Sequence, residues 1–276
     1  MELLKEYTEF AKQFKMVGSN VLFLRKDGYT EIVSVGNAHL EKQLPLQKDS
    51  IFRIASISKI IVAIGLLKLY EDGLVDLDED ISTYLGFTVR NPKYPNDIIT
   101  LRMVLTQTSS IVDNGTFENG VYKGYDGSNC TDDYIPLKDL LTPGSKYYYN
   151  GYSEFKPGST FIYSNLGCGI LACVCEKITN KYFPQYIKEV LLHKLDIYSG
   201  FRLEDIADID NLVGHYLYED ENFKLYRDYE SFKKVQCLKY PLGENYRGVA
   251  GGLYISAPNL AKIMSMLMNK GVYNGI

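Results

Sequence analysis

The segment at residues 56–71 constrains the fold most, because read as a helix it carries apolar residues on nearly every side. A helix that is apolar all round is expected to be buried by other elements. Gly73 then ends the helix, since glycine readily takes the left-handed conformation that closes a helical segment. With 276 residues, the chain can surround such a helix with one large core or two intermeshed ones.

The composition is that of a globular protein without affinity for polyanions. Hydrophobic residues make up 46% of the chain and charged residues 23%, and the formal net charge is −4. We therefore expect no nucleic-acid partner and no attraction to anionic lipid. The apolar run at residues 60–67 is too short to span a membrane.

Residues 1–16 mix charged and apolar side chains, which predicts an amphipathic helix and not a signal peptide. The cysteines are odd in number and irregularly spaced: Cys130, Cys168, Cys173, Cys175 and Cys237. A disulfide framework is therefore not expected, and a reducing, cytoplasmic location is predicted. A leader removed from the natural protein stays an open alternative.

Further elements follow from local patterns. Residues 20–26 and 30–36 are rich in β-formers and flank Asp27-Gly28, which predicts a hairpin. Helices are predicted at residues 99–111, 166–178 and 259–267. Residues 112–154 contain seven tyrosines and little periodicity, which predicts a solvated surface excursion, with a substrate-facing lid as the alternative.

A serine followed three residues later by lysine is one candidate catalytic pair. It occurs three times, at Ser56–Lys59, Ser153–Lys156 and Ser231–Lys234. On a helix this spacing brings hydroxyl and amine within reach of each other. Only Ser56 stands at the start of the apolar helix, where free N–H groups favour a developing oxyanion.

Lys59 lies among apolar neighbours, where a lysine is costly unless it is paired or neutral. A neutral, desolvated amine is what a general base requires. Ser56 is therefore the predicted nucleophile and Lys59 its base. On these residues alone, a serine helix cap followed by a lysine that extends to solvent is an equal alternative.

The pattern Tyr-x-Asn is the second candidate motif and begins at Tyr94, Tyr148 and Tyr163. The first is a turn because proline follows it, and the second lies in the tyrosine-rich segment. Tyr163 and Asn165 follow a Pro-Gly turn and directly precede an apolar helix. The alternative reading is that Ser164 or Asn165 only caps that helix.

Taken together, the segments resemble the serine β-lactamase and penicillin-binding-protein group, class C β-lactamases in particular. IFRIASISKI, around Ser56, resembles the nucleophile segment of that family, and FKPGSTFIYSNLG, around Tyr163, resembles its Tyr-x-Asn segment. Residues 101–111 and 248–264 resemble two further family segments in the expected order. Each motif is weak alone, but four in order are specific, and the resemblance extends from about residue 17 to the end.

The resemblance implies an α+β fold, in which an antiparallel sheet flanked by helices joins a mostly helical region, with the active site in the cleft between them. Residues 1–53 would contribute to the α/β region and residues 54–276 would form the helical one. The family's chemistry implies a serine hydrolase that forms an acyl-enzyme on Ser56 with a β-lactam, a D-amino-acid peptide or an ester. Proton transfer would involve Lys59 and Tyr163.

The resemblance also implies that Asn165 holds Lys59 and the substrate's amide, and that no cofactor or metal is needed. Gly167-Cys168-Gly169 begins a dinucleotide-like pattern that does not follow a buried strand, so close helix packing explains it better. No Gly-x-Ser-x-Gly or Ser-Asp-Asn sequence is present, so α/β-hydrolases and class A β-lactamases fit less well.

Two departures from the family pattern affect the prediction. Gln107 and Ser110 stand where the family usually has His and Gly, which we expect to change packing more than chemistry. The family's third motif, Lys or His, any residue, then Gly, is not found after residues 259–267. We therefore expect poor turnover from this chain alone, and further residues or a partner segment that completes the sheet. The alternative function is a catalytically incomplete binding or scaffold protein.

Overall fold

Helices and short antiparallel strands make up the chain, as predicted for an α+β protein. The structure is a computed structural model that describes residues 2–26, 30–118, 121–125, 134–148, 150–234 and 240–275. Its helices are α1 (Glu2–Gln13), α2 (Ser58–Glu71), α3 (Ile81–Leu85), α4 (Leu101–Leu105), α5 (Leu137–Leu141), α6 (Asn165–Thr179), α7 (Phe183–Ile187), α8 (Tyr229–Lys234) and α9 (Ala257–Met268). Its strands are β1 (Gly18–Leu24), β2 (Thr30–His39), β3 (Leu44–Pro45), β4 (Ile51–Arg53), β5 (Asn114–Glu118), β6 (Val121–Tyr125), β7 (His215–Glu219), β8 (Asn222–Arg227) and β9 (Tyr254–Ser256). None of the described helices is long and apolar enough to cross a bilayer.

The chain forms two compact units. The first joins residues 1–54, 192–236 and 253–276, and the second joins residues 55–191 and 237–252. All strands except β5 and β6 belong to the first unit, whereas α2 to α7 belong to the second. The sheet-forming and the mostly helical parts are thus separate units, each described by itself below.

Backbone pairing explains why late segments of the chain belong to the first unit. Strands β4 and β9 are antiparallel, with Ile51 opposite Ser256 and Arg53 opposite Tyr254. The Val213 N–H donates to the Ile51 carbonyl at 2.9 Å. This division differs from the predicted boundary after residue 53, which assigned all later residues to the helical region.

The predicted N-terminal hairpin is present. Strands β1 and β2 pair antiparallel from Gly18 opposite Gly36 to Leu24 opposite Thr30. The predicted Asp27-Gly28 turn lies outside the described residues. Strand β3 extends this sheet on the far side of β2.

The amphipathic N-terminal segment forms α1, which covers one face of the hairpin. Ala11 from α1 packs with Val33 and Val35 from β2, and Tyr7 borders the same cluster. Val33 and Val35 are two residues apart, so both side chains lie on one face of the strand. The apolar face of α1, which repeats every 3.6 residues, packs on the face of β2 that repeats every two residues.

In the second unit, α2 packs against α6 and α7. Gly65 allows this close approach, because a Cβ there would lie 3.1 Å from the Phe183 ring. The Tyr186 hydroxyl donates to the Gly65 carbonyl at 2.9 Å, which ties α7 to the middle of α2. This small-residue contact holds the helix that begins next to Ser56.

The prediction that α2 is buried on all sides is wrong. Ile61 and Leu66 are fully buried, but Ile60 is 39% and Leu67 is 43% exposed. Helices α6 and α7 contact one side of α2, so the apolar residues on its other side stay accessible. The predicted helix at residues 56–71 also starts later, because a 3₁₀ turn at Ala55–Ile57 precedes it.

The tyrosine-rich segment at residues 112–154 contains more structure than the predicted excursion. Strands β5 and β6 form an antiparallel hairpin within it. Leu137 and Leu141 of α5 are buried, and so is Tyr152, whose hydroxyl donates to the Leu141 carbonyl at 2.9 Å. The sequence did not predict these buried positions, because the apolar and tyrosine residues of this segment follow no helical or strand period.

Gly169 in α6 confirms that small residues serve close packing here. A Cβ at Gly169 would lie 2.1 Å from the Tyr246 carbonyl oxygen, whereas a Cβ at Gly167 would meet nothing nearer than 3.5 Å. The backbone at Tyr246 therefore rests directly on α6. The same segment continues to Ala250, which contributes to the site described below.

We predict opposite effects for alanine at these two glycines. Gly169→Ala should lower the free energy of unfolding by about 1–3 kcal/mol, because the new methyl group overlaps backbone that must shift. Gly167→Ala should be neutral or stabilising by up to about 1 kcal/mol, because alanine favours the helix and its Cβ would make ordinary van der Waals contacts at 3.5 Å. Urea denaturation of both variants measures the difference. Equal effects would contradict the close approach at Gly169.

His215 lies beside two cations in the first unit. Its ring packs edge-on against Phe232 at 4.8 Å between centroids. Burial, together with the nearby Arg53 and Arg227 guanidinium groups, lowers the pKa of His215 to about 4 from 6.5. The unfolded chain therefore binds this proton more tightly than the folded chain between pH 6.5 and pH 4. The contribution of His215 to the free energy of unfolding is therefore fully present above pH 6.5 and is lost as the pH falls toward 4.

We predict that His215→Gln reduces the loss of stability between pH 7 and pH 4.5. The shift corresponds to at most about 3 kcal/mol of pH-dependent stability. His193→Gln is the matched control, because His193 is exposed. Thermal unfolding midpoints at the two pH values measure the effect. A pH dependence in His215→Gln that equals that of His193→Gln would show that the proton on His215 does not couple to folding.

Candidate active site

The start of α2 presents Ser56 at an exposed position. A 3₁₀ turn at Ala55–Ile57 leads into α2, and Ala55 has a φ of 45°. This left-handed conformation is unfavourable for a residue with a Cβ and turns the chain sharply into the helix. The Ser58 hydroxyl donates to the Ala55 carbonyl at 2.6 Å and fastens the turn. Ser56 is thus held on a braced turn, open to solvent, at a helix N-terminus.

Lys59 lies one turn further on and is surrounded by oxygen atoms. Its Nζ is 3.1 Å from Ser56 Oγ, 2.7 Å from Asn165 Oδ1 and 2.8 Å from the Ala250 carbonyl oxygen. A carbonyl oxygen can only accept, so two of these contacts require N–H groups of Lys59. Ser56 Oγ accepts from the third N–H group, so three oxygen atoms fix the position of the amine.

Tyr163 completes the group around the serine. Its hydroxyl donates to Ser56 Oγ at 2.6 Å, and Lys59 Nζ lies 4.7 Å from the centre of its ring. The residue is 46% exposed, so Tyr163 lies at the surface. Ser56 Oγ therefore accepts hydrogen bonds from both Lys59 and Tyr163.

The first turn of α6 positions Tyr163 and Asn165. Ser164 is the N-cap, and its hydroxyl accepts from the Gly167 N–H at 2.9 Å. Gln107 Oε1 accepts from the Ser164 N–H at 2.6 Å. The replacement of the family's usual His by Gln107 therefore supports the motif directly, beyond the local packing effect that the sequence suggested.

Ser110, at the position of the usual Gly, has a φ of 65°, in the left-handed region that glycine takes most easily. Its side chain is buried and accepts a hydrogen bond from Asn91 Nδ2 at 3.1 Å. This hydrogen bond satisfies the buried hydroxyl, and it explains how a serine is tolerated there. The effect of Ser110 on packing and on chemistry stays a prediction.

Asp113 is a site residue that the sequence did not indicate. Its carboxylate accepts from Asn165 Nδ2 at 2.7 Å, from the Leu166 N–H at 2.8 Å and from the Ser164 hydroxyl at 3.3 Å. Burial raises the pKa of Asp113, and these hydrogen bonds oppose the rise. A lone acidic residue in the tyrosine-rich segment offered no spacing signal that would have revealed it.

The structure brings the four predicted site residues together, and all belong to the second unit: Ser56, Lys59, Tyr163 and Asn165. The other Ser-x-x-Lys pairs have separate partners. Lys156 forms an ion pair with Asp97, and the Ser231 hydroxyl donates to Asp228. The Ala250 carbonyl was also missed, because a backbone oxygen leaves no signal in the sequence.

No metal site is evident in the described part of the chain, where no cluster of three or more His, Cys, Asp or Glu residues could hold an ion. Cys168, Cys173 and Cys175 are buried free thiols in α6, and burial raises the pKa of Cys168 to about 12. Cys130 and Cys237 lie outside the described residues. The three buried cysteines of α6 are therefore packing residues of that helix.

Comparison with known proteins identifies the family to which these segments are similar. The family model Beta-lactamase matches residues 7–274. Penicillin-binding protein 4* of Bacillus subtilis is 28% identical over 156 residues, which cover 56% of this chain and 31% of that protein. The chain spans about a third of the length of the curated relatives it matches.

Solved structures share the fold. The octameric penicillin-binding protein homologue from Pyrococcus abyssi has a TM-score of 0.72 and 24% identity over 98% of this chain and 57% of its own. The D-amino acid amidase from Ochrobactrum anthropi SV3 has a TM-score of 0.70 and 20% identity over 98% of this chain and 70% of its own. At these identities the likeness concerns the fold.

Proposed function

This chain belongs to the Beta-lactamase family, and we propose that it is a serine hydrolase that forms an acyl-enzyme on Ser56 with an amide or ester. The observation that carries the proposal is the convergence of Lys59 Nζ and Tyr163 Oη on Ser56 Oγ, at 3.1 and 2.6 Å. Nucleophile and base within hydrogen-bond reach are the signature of covalent catalysis.

The first step is proton transfer to Lys59. Two carbonyl oxygens, from Asn165 and Ala250, hold the amine and direct its third position toward Ser56. As Ser56 Oγ attacks the substrate carbonyl, its proton moves to Lys59 Nζ and the amine becomes an ammonium. The same two oxygens then accept from the ammonium, so the charge forms among acceptors that are already in place.

The second step releases the leaving group. A tetrahedral intermediate has one negatively charged oxygen, and the N–H groups at the start of α2 offer positive potential to it. When the bond from the carbonyl carbon to the substrate's nitrogen or oxygen breaks, the leaving group needs a proton. Tyr163 supplies it and recovers one from Lys59, since its hydroxyl donates to Ser56 Oγ and its ring centre lies 4.7 Å from Lys59 Nζ.

Water completes the cycle. It attacks the acyl carbonyl, loses a proton to the basic pair, and the acyl–Oγ bond breaks as Ser56 regains its proton. The exposure of Ser56 and Tyr163 gives water access to the ester. β-Lactams, D-amino-acid peptides and simple esters are the proposed substrate classes, and the amidase with this fold is consistent with amide substrates.

We predict one covalent adduct, on Ser56, after incubation with a fluorophosphonate or penicillin. Ser56→Ala should remove it, because Ser56 Oγ is the oxygen within hydrogen-bond distance of both Lys59 and Tyr163. Ser153→Ala is the matched control, since it removes the serine of a second Ser-x-x-Lys pair. Intact-mass spectrometry with peptide mapping measures the adduct. An adduct that persists in Ser56→Ala would rule out this nucleophile.

Turnover separates a complete hydrolase from the alternative, a binding or scaffold protein. Nitrocefin and p-nitrophenyl esters report multiple turnovers, whereas the mass adduct reports the first acylation alone. Multiple turnover that Ser56→Ala abolishes would support a complete hydrolase. An adduct without turnover would support an incomplete site, and the absence of any adduct with either probe would favour the scaffold.

A further inference from the structure

The carboxylate of Asp113 is linked to the Lys59 amine through the side chain of Asn165. It accepts from Asn165 Nδ2 at 2.7 Å, and Asn165 Oδ1 accepts from Lys59 Nζ at 2.7 Å. The Asn165 amide therefore bridges a carboxylate and an amine. In each hydrogen bond found for Asp113, its carboxylate is the acceptor.

Asp113 determines the orientation of the Asn165 side-chain amide. A carboxylate can only accept, so the donor end of the Asn165 amide must face it and the oxygen must face Lys59. If the amide rotated by half a turn, its NH₂ group would oppose the Lys59 N–H groups and its oxygen would oppose the carboxylate. Hydrogen bonds in which one partner is charged are stronger than neutral ones, so Asp113 fixes this orientation firmly.

The orientation determines what Lys59 does. Asn165 Oδ1 and the Ala250 carbonyl accept from two N–H groups of Lys59, and the third position of the amine lies 3.1 Å from Ser56 Oγ. When the amine acts as the base, its lone pair occupies this third position. Without a fixed amide oxygen, an N–H group of Lys59 is released and can turn toward the serine, where it blocks proton transfer. The placement of the reactive lone pair thus depends on a carboxylate that does not contact Ser56.

We propose that Asp113 is a positioning residue, which orients the Asn165 amide so that Lys59 presents its lone pair to Ser56. The kinetic part of this inference rests on the proposed function. Asp113 also lies at the N-terminus of α6, where a carboxylate stabilises the helix. The experiment must therefore separate positioning from helix stability.

Glu176, in the same helix, provides a matched control. Its carboxylate is fully buried and accepts from the Phe183 N–H, the Gly243 N–H and Asn245 Nδ2, at 2.8–3.0 Å. Like Asp113, it has three donors, but it lies eleven residues beyond Asn165, about 16 Å along the helix. Glu176→Gln and Asp113→Asn make the same chemical change, and only the second touches the Asn165 amide.

Two measurements test the proposal. In protein labelled with ¹⁵N-asparagine, the Asn165 side-chain amide, assigned by its loss in Asn165→Ala, should show a downfield proton protected from exchange. Asp113→Asn should abolish that signature and Glu176→Gln should preserve it. The rate of Ser56 acylation by a fluorophosphonate should fall about ten- to a hundredfold in Asp113→Asn. Asp113→Glu, which keeps an acceptor-only group, should retain most of the rate.

The outcomes are distinct. An unchanged Asn165 signal in Asp113→Asn would overturn the proposal, and so would equal slowing in Asp113→Asn and Glu176→Gln at matched stability. A wild-type protein that is not acylated would contradict the proposed function, while the amide spectra would still decide whether Asp113 orients Asn165. If Asp113→Asn does not fold, acylation by Asp113→Glu at the rate of Asn165→Ala would overturn the positioning role.

Discussion

The hydrogen bonds of the Lys59 amine are the interaction on which the rest of the site depends. Two carbonyl oxygens, from Asn165 and Ala250, hold Nζ beside Ser56 Oγ. These oxygens come from α6 and from the segment that packs on it, so the position of the Lys59 amine is sensitive to how these segments pack. Gly169 permits the contact, because the backbone at Tyr246 lies where a side chain would otherwise stand.

One partly buried and one fully buried carboxylate, Asp113 and Glu176, bind α6 near its two ends. Asp113 binds the first turn next to Asn165, and Glu176 binds three donors near the last turn. Burial raises the pKa of both groups, so the surrounding N–H donors must offset the desolvation of a charge. Polar groups in this unit therefore set the position of the helix, while its apolar residues supply the core.

Much of this arrangement was predictable from the sequence. The motifs around Ser56 and Tyr163, in the family order, led to the α+β class and to four side chains that the structure places together. Their catalytic roles stay predictions. The all-round burial of α2 was wrong, because apolar composition does not tell which side a neighbouring helix covers. Asp113 and the Ala250 carbonyl were missed, since a lone carboxylate has no period and a backbone oxygen has no sequence signal.

Chemical rescue of the amine at position 59 tests the central claim most directly. Lys59→Cys should lose Ser56 acylation by a fluorophosphonate, since a thiol of that length does not reach the serine. Treatment with 2-bromoethylamine converts the cysteine to an S-aminoethyl side chain that restores an amine at nearly the lysine length. Lys59→Ala, given the same treatment, controls for alkylation elsewhere. The account predicts that acylation returns only in treated Lys59→Cys. Acylation of untreated Lys59→Cys at the wild-type rate, or no recovery after complete aminoethylation, would contradict it.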